Sequence, residues 1–213
     1  MASHLVVALS SHGFGHIGQS APVIETLREH LPNLRVTLRT AAPRFKLVER
    51  FGEQVAITPA TTDIGMVQQD AQCIAWEASA QAYLNFHREW DRRVEEEARV
   101  LRELRADALL ANVPYLALAG ARHAGIPSLA LCSINWMDIY AHYFSARPEA
   151  PTLLEQMRQA YGSARAFLQP TPSMPMPQLD NRQAIGAICQ RGRSRRAWFD
   201  EHLGLRPDER LVM

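Results

Sequence analysis

The 213-residue chain lacks a dominant charge: 23 Lys and Arg stand against 22 Asp and Glu, a formal net charge of +1. No bulk field draws it to nucleic acid or to a membrane, so any anion binding has to be local. Cysteine is scarce. Cys73, Cys132 and Cys189 are odd in number, far apart and outside any CxxC spacing, which argues against a disulfide framework or a zinc site and for reduced thiols in the cytosol. Cys132 lies in an apolar run, where a small core residue is expected. Long apolar runs are missing too. The N-terminus offers only Leu5–Leu9, shorter than the ~7–15-residue apolar stretch of a signal peptide, and nothing approaches the ~20 residues of a spanning helix. A cytoplasmic protein is expected.

What is there repeats one theme: a short apolar strand, a turn and a helix. Leu5–Leu9 is continuous and apolar, as in a strand buried on both faces, and runs into a Ser/Gly-rich turn. Ala21, Val23, Ile24, Leu27 and Leu31 then follow helical spacing until Pro32 and Asn33. Residues 35–40 carry the β-branched alternation of a second strand. Strand, helix, strand is a βαβ unit, which crosses over right-handed into a parallel sheet. Further strands are expected at 54–58, 108–111, 128–132, 166–168 and 184–188, and helices at 43–50, 116–123, 152–164 and 195–203. Residues 59–73 are polar and poorly periodic, a long loop of the kind that carries function. From Trp76 to Leu104 apolar residues recur at steps of three and four, predicting one long helix. Its outer face, with Arg92, Arg93, Glu95, Glu96 and Glu97, reads as solvated. Four prolines in 170–177 rule out regular structure there. The expected class is α/β, a Rossmann-like parallel sheet with helices on both faces.

The strongest local signal is Ser11-His-Gly-Phe-Gly-His-Ile-Gly18. Gly13, Gly15 and Gly18 fit the dinucleotide spacing GxGxxG between a strand and a helix, where unpaired N–H groups face an anion. The acid that would bind a ribose hydroxyl after the second strand is absent. Arg39-Thr-Ala-Ala-Pro-Arg44 stands there instead, which disfavours NAD and leaves an NADP-binding oxidoreductase domain as the weakest of three readings. His12 and His16 flank the turn and shift its meaning, because an imidazole at the end of the first strand suits a general base near neutral pH. Hydrogen bonding to nearby loops is the plainer alternative for both.

The turn resembles the Gly-His-Gly-Phe-Gly-His turn of GT-B glycosyltransferases, above all the glycosyltransferase-like N-terminal region of L-arabinokinases. It is more distantly similar to the peptidoglycan UDP-N-acetylglucosamine transferase family. Matching segments follow in order: Asp63-Ile-Gly-Met-Val-Gln-Gln-Asp70, Ala106-Asp-Ala-Leu-Leu110, Ala124-Gly-Ile-Pro-Ser128, Asn135-Trp-Met-Asp-Ile-Tyr140 and Pro175-Met-Pro177. Ser11 replaces a leading glycine, Asn112 stands where the family usually has aspartate, and the acid near Trp136 falls one residue later, at Asp138. The resemblance implies an N-terminal GT-B lobe that binds the acceptor, with His16 as the base. His12, Gly13, Gly15, Asp63, Asp70, Asn112, Asn135, Trp136 and Asp138 would line its cleft. It also implies metal-independent hexosyl transfer from a nucleotide sugar, a UDP-sugar above all, with no bound cofactor. The acceptor would be a hydroxyl compound, either a small molecule or lipid-linked.

By the same resemblance, residues 1–185 form the acceptor domain. Residues 186–213 form a linker and the first strand, at 210–213, of a C-terminal donor domain. The Arg191, Arg193, Arg195 and Arg196 cluster reads as a solvated linker, or as a contact for phosphate or for an anionic inner membrane face. Because Asn112 cannot be a charged partner for a histidine, a non-catalytic sugar- or nucleotide-binding module stays open beside the enzyme.

Overall fold

The computed structural model describes residues 3–70, 72–190, 192–206 and 208–210. The first half runs β1 (His4–Leu9), α1 (Gly15–His30), β2 (Arg35–Arg39), α2 (Arg44–Phe51), β3 (Ala56–Thr58), α3 (Trp76–His87) and α4 (Trp90–Glu103). The second half runs β4 (Ala108–Asn112), α5 (Tyr115–Ala124), β5 (Ser128–Leu131), α6 (Trp136–Phe144), α7 (Ala150–Gly162), β6 (Phe167–Pro170), β7 (Arg182–Ile185) and α8 (Arg196–Leu203). The strands form a seven-stranded sheet in the order β3-β2-β1-β4-β5-β6-β7, and every pairing is parallel.

The apolar run of β1 explains the layering. Its side chains alternate between faces, so Val6 and Ala8 join one core while Val7 and Leu9 join the other. Ile17, Ala21 and Ile24 of α1 and Leu47 and Phe51 of α2 fill the second core. Residues from α3 to α7 fill the first, around Tyr83, Leu101, Tyr115, Tyr140 and Tyr161. Helices cover both faces, as the apolar strand pattern predicts.

Three expectations need correction. The single helix over 76–104 is two, broken by a turn at 88–89. Both halves bury the same face, so the three-and-four spacing runs through the break, and the Trp90 ring stacks on His87 across it, 5.0 Å apart. Trp76, placed on the inner face by periodicity, is half exposed. Glu97, read as solvated, is buried and holds Arg39 through two hydrogen bonds of 2.6 and 2.5 Å. Helix α6 was not anticipated. Of the strand expected at 210–213, residues 211–213 lie outside the described residues, as does Arg191, and Arg210 is not in a strand. Arg196 of the same basic cluster is taken up by Asp200 and by the backbone carbonyls of Arg206 and Glu209.

His87, the last residue of α3, is buried. Its Nδ1 donates to Gln156 Oε1 at 2.7 Å and its Nε2 accepts from the Tyr115 hydroxyl at 3.0 Å. Burial, reinforced by Arg93, pushes its pKa down to about 4 against the opposing Gln156 bond. The unfolded chain takes up this proton near pH 6.5 and the folded one only near 4. Stability is therefore complete above about pH 6.5 and falls as pH drops toward 4, by about 3 kcal/mol in all. Urea melts at intervals across that window are expected to show the decline, and His87→Gln to flatten it.

Candidate active site

The strand order reverses between β1 and β4, the position where open parallel sheets bind ligands beyond their strand ends. From β1 the chain turns through Ser10–Phe14 into α1, while β4 ends at Asn112. Gly13 sits at φ +84°, a conformation that favours glycine. Gly15 and Gly18 adopt ordinary φ and face open space, so only one of the three fingerprint glycines is needed by its backbone.

His16, in the first turn of α1, is buried against the end of β4. Its Nδ1 lies 2.9 Å from Asn112 Oδ1. The Asn112 amide nitrogen donates to Gln19 Oε1 at 2.9 Å and to Ser20 Oγ at 3.0 Å, which turns its oxygen toward the histidine. An amide oxygen only accepts, so the His16 proton sits on Nδ1 and Nε2 keeps its lone pair. Asn112 is thus a neutral orienting partner rather than an idle substitution. The Cys132 thiol is 3.7 Å from the same Nδ1, and burial pushes its pKa up to about 11, so it stays a neutral core residue.

His12 is used differently. Its Nε2 accepts the Gly65 backbone N–H at 2.9 Å, tying the 59–73 loop to the first turn. Gly65 is required by this approach: a Cβ there would lie 2.7 Å from the His12 ring. Gly65→Ala is expected to displace His12 and lower stability by about 1–3 kcal/mol, measured by urea unfolding, with the His12 ring resonances shifting in NMR spectra. The His12 ring also meets Trp136 edge-on at 5.4 Å, and His16 lies 6.3 Å from the same indole.

Trp136 opens α6 and donates its Nε1–H to Asp63 Oδ2 at 2.7 Å. Asp63 is 2% exposed. Burial raises its pKa, opposed by the Ser10 hydroxyl, the two imidazoles and the indole. Asn135 is the N-cap of α6: its Oδ1 accepts the Asp138 backbone N–H at 2.7 Å, and its Nδ2 donates to Asp138 Oδ2 at 3.0 Å. A cavity of about 810 Å³ lies over this cluster, with His12, Gly13, Trp136 and Asp138 in its lining. His16, Asp63, Asn112 and Asn135 are all buried and lie outside that lining, with His16 8% exposed.

Asp70 is not brought to the cavity. Its carboxylate accepts the backbone N–H groups of Gln72 and Cys73, closing the turn at the tip of the loop, and Gln68 lines the cavity instead. Sequence reading missed Met66, Ile74, Ile139, His142, Tyr143 and Met174 in the lining. The apolar α6 members, Trp136, Ile139 and Tyr143, recur at steps of three and four, a helical spacing that the sequence shows. The buttressing pair Gln19 and Ser20 had no such signal. Arg39, the first residue of the Arg39–Arg44 segment, is held by Glu97. Among the described residues no helix is long and apolar enough to cross a membrane.

The seven-stranded parallel sheet, with its order reversing between β1 and β4, has the fold seen in one lobe of GT-B glycosyltransferases. The glycosyltransferase of kitacinnamycin superposes on 89% of the chain at TM-score 0.55 and 17% identity, the match covering 52% of that protein. A UDP-glucosyltransferase from Polygonum tinctorium, capable of glucosylating indoxyl, matches 90% of the chain at TM-score 0.53 and 13% identity, over 53% of its own length. In sequence, L-arabinokinase from Arabidopsis thaliana is 25% identical over 217 residues, covering 100% of this chain and 21% of that protein. The chain therefore spans about half of those structures and about a fifth of that relative. No family model matches it.

Proposed function

We propose that this chain is the acceptor-binding lobe of a GT-B glycosyltransferase, acting with a donor-binding lobe that holds a nucleotide sugar such as a UDP-sugar. The observation that carries the reading is the His16–Asn112 bond, which leaves the His16 Nε2 lone pair free at the sheet's switch point. In the reaction an acceptor hydroxyl oxygen attacks the anomeric carbon as the bond to the nucleoside diphosphate breaks, and the hydroxyl proton passes to Nε2. Asn112 holds the ring but adds no charge. Asp63, a buried carboxyl whose pKa burial raises, lies behind Trp136 on the same side of the site. No metal enters this reading, and the reaction belongs to the cytoplasm.

The test is transfer by the complete protein, the chain together with its donor lobe. Binding of one of the common UDP-, GDP- or TDP-sugars by calorimetry, followed by turnover, supports the reading; no binding to any of them rejects it. The neutral Asn112 favours one rival, a sugar- or nucleotide-binding module without turnover, which the His16 variant discussed below separates.

A further inference from the structure

A second groove lies in the helical layer, and it shares no lining residue with the cavity over Trp136. The first turn of α4, the second half of α5 and the middle of α7 bound it, enclosing about 430 Å³. Helix α5 ends just before β5 begins, so the groove opens toward the amino ends of the strands, away from the candidate active site. Trp90, Val94, Ala119 and Ala160 give it an apolar surface. Its size is at the small end of ligand sites, enough for one ring and a short polar group.

Gln156, on the α7 side, is anchored from the core. Its Oε1 accepts the Nδ1–H of the buried His87, whose other nitrogen accepts from the Tyr115 hydroxyl. The Trp90 ring stacks on both His87 and Tyr115, at 5.0 and 5.8 Å. A buried imidazole and a phenol thus fix an indole and an amide at the groove, and Gln156 Nε2 has no partner among the described residues. Asp91 of α4 and Arg122 of α5 add opposite charges. Both are exposed, and neither enters an ion pair among the described residues, although Arg92, Glu96, Arg99 and Glu103 on the same α4 are all paired. His123 and Gln159 complete the rim, with Gln159 Nε2 donating to Glu155.

We infer that this groove binds a zwitterionic aromatic amino acid, its carboxylate on Arg122, its ammonium on Asp91 and its ring against Trp90. A purely anionic ligand meets the like charge of Asp91, and a purely cationic one that of Arg122. A molecule carrying both charges on one carbon satisfies both. The guanidinium fork suits a carboxylate, and the free Gln156 Nε2–H group is a further donor to it. An aromatic side chain gains offset or edge-on contact with the indole and covers Val94, Ala119 and Ala160. The site is separate from sugar transfer and stands whether or not the chain is an acceptor lobe.

L-phenylalanine, phenethylamine and 3-phenylpropionate share one ring and differ in charge, so calorimetric titration of the three on this chain at neutral pH tests the site. Phenylalanine is expected to bind roughly tenfold or more tightly than either singly charged analogue, and L-alanine, which lacks the ring, more weakly still. Arg122→Gln and Asp91→Asn, both at exposed positions, are each expected to weaken phenylalanine binding roughly fivefold or more, with the far-UV dichroism unchanged. In nitrogen-15 NMR spectra the His87 Nδ1–H and Trp90 indole N–H signals are expected to shift as the groove fills, because Gln156 and Trp90 line it and His87 touches both. Four results overturn the proposal. They are no saturable binding, an analogue or L-alanine bound as tightly, phenylalanine affinity unchanged in either variant, and shifts confined to the cavity over Trp136.

Discussion

Replacing His16 by glutamine is expected to lower sugar transfer by the complete protein about 10²–10⁴-fold, the usual contribution of a positioned general base. The expectation follows from the tautomer. Asn112 spends its amide hydrogens on Gln19 and Ser20 and offers His16 only an oxygen, so the base nitrogen is the one left free. Glutamine fills most of the imidazole volume and keeps a donor for Asn112, so the loss reports proton transfer and not collapse of the first turn. The measurement is kcat with a saturating donor. A variant that loses affinity for acceptor while turnover holds within a few-fold identifies a binding module. Because Asn112 is neutral, Asn112→Ala is expected to cost less than the histidine change: the ring loses its orientation but the lone pair survives.

Removing Glu97 is expected to be the most destabilising single change, about 3–5 kcal/mol for Glu97→Ala. Arg39 and Glu97 are both buried, their side chains 10% and 3% exposed, and they join the end of β2 to α4 in a two-bonded pair. Without the carboxylate, the guanidinium is left charged in an apolar layer with nothing to replace water. Urea unfolding reads the loss directly. The double variant Arg39→Met/Glu97→Met is expected to recover most of it, since two flexible apolar chains can fill the space without a stranded charge. A double variant as unstable as the single one shows that the pair contributes through packing rather than charge.

Both predictions turn on residues whose roles the sequence obscured. Glu97 sits in a run of charges, and its neighbours Arg92 and Glu96 are indeed exposed, so local composition reads the whole run as solvated. Its burial depends on Arg39, a partner 58 residues away. Asn112 was legible as a departure from an expected aspartate, yet its use as a neutral anchor depends on Gln19 and Ser20, one turn along α1. Asn135 and Asp138 were legible as site positions, but their side chains cap α6. Asp70 has the right chemistry and the wrong place: a short turn consumes it.

Most of the strand and helix order, the two-faced burial of β1, and the glycine–histidine turn at the switch point were set by local pattern, while α6 and the break between α3 and α4 were not. Their physical basis is short-range: side-chain alternation along a strand, helical spacing, and the backbone freedom of Gly13. Which imidazole keeps a free lone pair, which carboxyl is buried, and what lines the cavity were decided only in the folded chain. Those properties arise between groups far apart in sequence, such as His16 with Asn112, Asp63 with Trp136, and Met66 with Met174. A hydrogen bond or an apolar wall is set by distances across the fold, and residue order alone does not carry them.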